Sequence, residues 1–356
     1  MNTPAPPVIR KHDAAPGSTR LEALGLVWLA EAMPDGGAPV VPVRCGEGWL
    51  EEPRLRQSRP TPAAARAFGR ALARTHAAGA GEHGAAPPGW EEDSGWMGAA
   101  RLPLRPGPAS APPIPGVGEG GTAPGAAGPA SAPRRWGEFY AEDRLLPYLG
   151  AARANGSLDA SGARLIERVA GRLSSGLLDA DQPALVSALA RERGGAPDAA
   201  RLAARTHGDL WSGNVLWVAR SETASWAPAP PEGAPPEGAP ADGVPPEDGP
   251  AGDGPLEGGS AEGGPAGGGR RAPDVVGVLI DPAAQGGHAE TDLAELGVFS
   301  QPHLDQVYAG YEEVSALAAG WRERVGAHQL HMLIIHAALF GGGYGARTVA
   351  TARRYA

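Results

Sequence analysis

The chain has 356 residues, 31 Lys and Arg against 40 Asp and Glu, a net charge of -9 and no polybasic run. That balance excludes a footprint for nucleic acid or anionic lipid, and a single cysteine, Cys45, excludes an internal disulfide and fits a reducing compartment. No stretch of 18 or more apolar residues occurs, and residues 1–18 lack the apolar core of a secretion signal, so a cytoplasmic protein without a membrane span is expected.

Residues 8–52 read as a small α/β unit. A short strand ends at Lys11, a turn follows at Ala15-Pro16-Gly17, and a helix runs through Leu21, Leu24, Trp28 and Leu29. Two short strands are expected around 40–44 and 49–51. Thr61-Pro62 has the form of an N-cap with proline at the first helical position, opening a helix that places Phe68, Leu72 and His76 on one face. Residues 103–133 form a Pro/Gly-rich loop expected to be disordered. Helices are then expected over 136–149 and 163–178, and later over 292–299, 303–318 and 327–340. Gly341-Gly342-Gly343-Tyr344-Gly345 reads as a tight interhelical turn.

Residues 215–218 and 275–280 read as two strands of a hairpin whose turn is replaced by a second low-complexity stretch, 222–273. Between Glu222 and Arg271 nine acids stand against two arginines, so this stretch carries -7 of the -9. Its Pro, Gly, Ala and acid content buries too little apolar surface to fold, and disorder is expected. Loop closure grows only logarithmically with length, so the hairpin tolerates the insertion. The whole reads as α+β, with a small mixed lobe over 1–55 and a larger, mainly helical lobe over 56–356.

The chemistry concentrates in two motifs. Thr206-His207-Gly208-Asp209-Leu210-Trp211-Ser212-Gly213-Asn214 is followed, past the acidic stretch, by Val278-Leu279-Ile280-Asp281-Pro282. The spacing is that of a kinase-type phosphotransferase, in which Asp209 takes the acceptor hydroxyl's proton while Asn214, five positions on, and Asp281 hold Mg²⁺. His207 is assigned an architectural role in the loop.

Lys11 is the only lysine; the other 30 basic residues are arginine. A lone Lys in such a chain marks a place where a planar guanidinium does not fit, as between nucleotide phosphates, and Glu22 on the following helix is its expected partner. Taken singly, His-Gly-Asp is also an Asx-capped turn, Ile-Asp-Pro a strand end, and Glu22 a solvated helix acid. Order and spacing together favour the chemical reading. Gly116-Val117-Gly118-Glu119-Gly120-Gly121 lacks a preceding strand and is no dinucleotide site. His328 and His331 share a helix face without a carboxylate or cysteine nearby in sequence, and no metal site is expected there. Cys45 is expected to pack as a small apolar residue.

The stretches Phe139-Tyr140-Ala141-Glu142-Asp143-Arg144-Leu145-Leu146-Pro147, His207 to Asn214, and Ile280-Asp281-Pro282-Ala283-Ala284-Gln285-Gly286-Gly287-His288-Ala289-Glu290-Thr291-Asp292-Leu293-Ala294 closely resemble the fructosamine-3-kinase (ketosamine-3-kinase) family. That family has an aminoglycoside-phosphotransferase-like, two-lobed protein-kinase-like fold. The resemblance runs from about Val8 to the C-terminus, interrupted by the two low-complexity loops. It implies ATP-dependent, Mg²⁺-assisted phosphorylation of the 3-hydroxyl of a sugar-derived ketoamine on a lysine or small amine. The adduct then falls apart, so the protein would serve deglycation and repair.

By the same resemblance Trp211, His288, Glu290 and Asp292 lie near the acceptor pocket. The alternative is that Thr291 or Asp292 caps the helix through Leu293 and Leu296. One departure from the kinase pattern stands out. Only Met1 to Arg10, with three prolines, precede Lys11, too little for a Gly-rich phosphate loop between two strands. Either the chain as given starts downstream of such a loop, or it lacks one and is a silent pseudokinase. A third reading is a kinase for an aminoglycoside or amino sugar. The oligomeric state is not legible.

Overall fold

The computed structural model describes residues 7–108, 133–194, 198–226 and 274–356. Most of the two low-complexity stretches at 103–133 and 222–273, with the glycine run at 116–121, lies outside them. Strands β1 (Val8–His12), β2 (Arg44–Gly46) and β3 (Trp49–Pro53) form an antiparallel sheet in the order β1-β3-β2. Lys11 pairs with Leu50 and Ile9 with Glu52, so the two-residue alternation of a strand sends Lys11, Leu50 and Glu52 to one face. Helix α1 (Ser18–Ala30) packs on the sheet through buried Leu21, Leu24, Trp28 and Leu29. Asp13 ties its start to the end of β1, accepting from the amides of Gly17 and Thr19 and from the Thr19 hydroxyl.

The strand expected over 40–44 begins only at Arg44. Pro39 and Pro42 carry no N–H and break the ladder. Val40 and Val41 instead lie against Leu279, the Val41 amide donating to its carbonyl at 3.1 Å.

Helix α2 (Pro62–Ala77) starts as expected, with Thr61 Oγ1 accepting from the Ala64 amide at 3.1 Å, and Phe68, Leu72 and His76 are buried. It crosses α9 (Leu304–Val314) at close range through two glycines. A Cβ on Gly69 would stand 2.0 Å from the Val307 carbonyl oxygen, and one on Gly310 1.9 Å from that of Arg66.

The hairpin β4 (Ser94–Met97) and β5 (Ala100–Pro103) was not anticipated. The single helix expected over 136–149 is broken into α3 (Trp136–Phe139), a π-type turn (Tyr140–Leu145), a tight turn (Leu146–Tyr148) and α4 (Leu149–Ala154). Pro147 cannot donate and prevents continuous helical bonding. Helix α5 (Ala160–Ser174) starts three residues before its expected position because Asp159 caps it, accepting from the Gly162 amide at 2.6 Å.

There follow α6 (Ala184–Glu192), β6 (Ala204–Thr206), β7 (Val215–Ala219) and the short α7 (Arg220–Thr223). Beyond the acidic stretch come β8 (Val275–Leu279), β9 (Gln285–Gly287), α8 (Ala289–Leu296), α9, α10 (Trp321–Phe340) and α11 (Gly343–Ala352). Strands β7 and β8 pair from Val215 with Leu279 to Ala219 with Val275, the expected ribbon. Helix α10 runs through the core of the larger part, burying Leu330, Met332, Leu333, Ile334 and Ile335. The molecule is α+β, a small sheet-and-helix lobe beside a larger helical one. No helix among the described residues is long and apolar enough to cross a membrane.

Candidate active site

Strands β6 and β9 pair antiparallel, Ala204 with Gly287 and Thr206 with Gln285, which sets residues 207–209 beside 281–284. Gly208 fits there because its φ is 78° and a Cβ would meet the Ala283 carbonyl oxygen at 2.2 Å. The His207 ring bridges the two motifs. Its Nε2 donates to the Ile280 carbonyl at 2.8 Å and its Nδ1 accepts from the Asp209 amide at 3.3 Å, a tautomer assigned from these partners. Burial holds its pKa below the usual value, so the ring is neutral and architectural.

Asp209 is partly exposed at the loop's edge. Asn214 Nδ2 donates to its carboxylate at 3.0 Å and to its carbonyl at 2.8 Å. Burial pushes the Asp209 carboxyl up to about 7, the Asn214 bond opposing and the charges of Asp281 and Asp292 adding to the rise. Asp281 follows β8 with φ 51°, a left-handed conformation that Asp tolerates better than most residues.

Lys11 and Asp281, 270 residues apart in sequence, are in direct contact. The Lys11 ammonium also lies 2.7 Å from Glu22 and 3.4 Å from Glu52. Burial works against this ammonium, but Glu22, Asp281 and Glu52 outweigh it and hold its pKa above the usual value. Glu22 is pushed up to about 7 by burial, Lys11 opposing and Asp281 adding. Glu52 rises for the same first reason, and its Oε2 has no hydrogen-bond partner. Sequence reasoning missed Glu52. The signal available was the alternation of β3, in which Leu50 and Glu52 share the face of Lys11.

The structure brings Lys11, Glu22, Asp209, Asn214 and Asp281 into one region and treats the four expected acceptor residues unequally. Trp211 is partly buried, packed against the cluster of Val298, Met332 and Leu333 with its ring edge-on to Phe299, centroids 5.5 Å apart. From there His336 stands 5.1 Å from Phe299, Tyr344 5.0 Å from His336, and Phe340, 68% exposed, 5.4 Å from His336. These four aromatic partners were not anticipated, because they come from α10, α11 and the segment after α8.

His288, Glu290 and Asp292 are buried and do not reach this shelf. The α8 cap is His288, whose ring accepts from the Glu290 amide; neither Thr291 nor Asp292 serves. Glu290 takes two bonds from Arg324, at 2.6 and 2.9 Å, and lies 3.3 Å from His328. His288, Glu290 and His328 are thus close enough to hold an ion, and His328 does have a carboxylate neighbour, supplied by tertiary packing. Arg324 already provides the cation, and burial keeps both imidazoles neutral. Asp292 instead accepts from the His207 and Gly208 amides at 2.7 and 3.0 Å and contacts His76 Nε2 at 3.1 Å. It holds the loop on which Asp209 sits.

A family model described as fructosamine kinase matches residues 126–231 and 268–355, more than half of the chain. Among curated proteins, the chain is 27% identical over 209 residues to "Probable ketoamine kinase YniA" of Escherichia coli K12, covering 59% of this chain and 46% of that protein. It is 46% identical over 65 residues to "Probable ketoamine kinase" of Klebsiella aerogenes, covering 18% of this chain and 22% of that protein. The match therefore spans less than half the length of either relative. A solved structure of a "putative fructosamine-3-kinase" from Thermobifida fusca superposes with a TM-score of 0.62 at 32% identity, covering 98% of this chain and 85% of that one. The fold is kinase-like, and the chain belongs to the fructosamine kinase family.

Proposed function

We propose that this chain transfers the γ-phosphoryl group of ATP to the 3-hydroxyl of a ketoamine, on a glycated lysine or small amine, as a deglycation enzyme. The supporting observation is the convergence of Lys11, Glu22 and Asp281 beside the Asp209–Asn214 pair. Lys11, drawn out by Glu22, binds the phosphates. Asp209 orients the acceptor hydroxyl and takes its proton as the hydroxyl oxygen bonds to the γ-phosphorus and the bond to the bridging oxygen breaks, releasing ADP.

Asp281 and Asn214 fit Mg²⁺. They offer a carboxylate and an amide oxygen, hard donors of the kind that ion takes, and the Asn214 nitrogen is already directed to Asp209. Bound there, the ion would offset negative charge on the phosphates. Trp211, Phe299, His336 and Tyr344 offer ring faces to the amine-bearing end of the acceptor. Asp292 and His288 act behind the loop rather than on the acceptor. With the lobe boundary drawn near residue 55, the Lys11 clamp belongs to the small lobe and Asp209 to the large one.

The test is transfer of labelled γ-phosphate to a ketoamine and to an aminoglycoside. Transfer to the ketoamine, lost in Asp209→Asn, is expected. Transfer to the aminoglycoside alone overturns the substrate assignment. Mg²⁺-dependent ATP binding without transfer to either overturns the enzyme reading in favour of a silent binding protein.

A further inference from the structure

Beneath the catalytic loop lies a buried carboxyl that the reaction above does not use. Glu295 stands one helical turn after Asp292 on α8, on the same face, and both are 0% exposed. Glu295 Oε2 accepts from the Leu210 amide at 3.0 Å, and Leu210 directly follows Asp209. Asp292 holds the His207 and Gly208 amides that precede it. One face of α8 therefore grips the backbone on both sides of Asp209.

The other oxygen of Glu295 has no hydrogen-bond partner. The charged and titratable groups that face it are Asp292 on its own helix, Asp209 on the loop, His331 on α10, and Tyr140 and Arg144 of the π-type turn. None bonds to it. His331 Nδ1 stands 3.9 Å off, and Arg144 donates to Gln285 and to the Pro103 and Asp143 carbonyls. An ionised carboxylate at zero exposure without a bonded cation is strongly disfavoured. Burial, with Asp292 and Asp209 adding, holds Glu295 well above the usual carboxylate range. A neutral carboxyl supplies the acceptor oxygen for Leu210 without a third negative charge beside Asp209 and Asp292.

We propose that Glu295 is a positioning residue for Asp209, acting as a hydrogen-bond acceptor through the Leu210 amide. This rests on Asp209 being the base. The test compares Glu295→Gln and Glu295→Leu in the full chain, reading kcat, both KM values, the kcat–pH profile and hydrogen exchange at the Leu210 amide. Gln retains an acceptor oxygen and changes no charge, so kcat, the acid limb of the profile and Leu210 protection stay near the unmodified protein. Leu leaves the amide unpaired. Leu210 exchange then accelerates and kcat falls roughly ten- to hundredfold through a misplaced Asp209, with both KM values little changed.

Unchanged kcat and unchanged Leu210 protection in the Leu variant overturn the proposal, as does a Gln variant equally impaired, or one whose acid limb moves. If the Leu variant fails to fold, an unprotected Leu210 amide in the unmodified protein is still decisive against it. If no acceptor is phosphorylated at all, the functional reading fails, yet Leu210 exchange in the Gln and Leu variants still reports whether the grip exists.

Discussion

Two carboxylate clusters flank the candidate active site and are built on opposite terms. Around Lys11, one ammonium faces Glu22, Glu52 and Asp281, the Lys11 and Asp281 side chains remain 26% and 45% exposed, and negative charge is in excess. Beneath the catalytic loop everything is sealed. Glu290 is matched by Arg324, and Asp292 by two amides and His76, whose other nitrogen contacts the Tyr311 hydroxyl. The cluster proposed to receive a nucleotide is left open and unbalanced. The cluster that fixes backbone is dry and almost fully bonded, as buried polar groups must be if they are not to cost stability.

The largest effect that sharpens this contrast is at Asp209. Asp209→Asn should lower kcat by about 10²- to 10⁴-fold with an unchanged fold by circular dichroism. In the unmodified protein the acid limb of kcat should lie near pH 7, activity falling as Asp209 takes up a proton. The same raised pKa makes ionised Asp209 a cost to the folded state. That cost is absent below the unfolded-state pKa and complete above about 7, so the Tm gain of Asp209→Asn should be larger at pH 8 than at pH 5. A pH-independent difference would break the assignment.

Glu290→Ala should cost about 3–5 kcal/mol in denaturant unfolding, because it strands a buried guanidinium. A loss below about 1 kcal/mol would show that the lower cluster is not held by its charge pairing. Lys11→Arg should leave stability nearly unchanged yet weaken ATP binding by about tenfold, since a planar fork replaces a compact ammonium; calorimetric titration reads it. The smallest effect, about 0.5 kcal/mol, is expected for Glu313→Ala, whose pairs with Arg66 and Arg70 are about one-third exposed. It sets the scale for an ordinary surface charge.

Much of the open cluster was legible in the sequence. A lone lysine, a helix acid eleven residues on and an Asp after a strand are rare enough to be read by type and order. The ribbon at 215–218 and 275–280 and the cap at Thr61 were legible too, because alternation and N-cap chemistry are local. The sealed cluster was not. Asp292 and Glu295 on α8, His76 on α2 and Arg324 on α10 lie in three separate sequence neighbourhoods, and only tertiary packing brings them together. Glu52 was hidden by its neighbour Glu51, which looks the same in sequence but lies on the opposite face of β3, paired with Arg10. The breaks at Pro42 and Pro147 were legible in principle, each a missing donor in an otherwise periodic run.

The β7–β8 ribbon has a practical corollary. Asn214 and Asp281 attach at the Val215–Leu279 end, whereas Ala219 and Val275 close the other, four rungs away, or about 14 Å at strand rise. A fluorophore or affinity handle grafted at the exposed Ser221 would therefore sit remote from the candidate site, next to the far end of the same ladder. That makes this end of the ribbon a convenient attachment port for a binding assay that leaves the candidate site residues untouched.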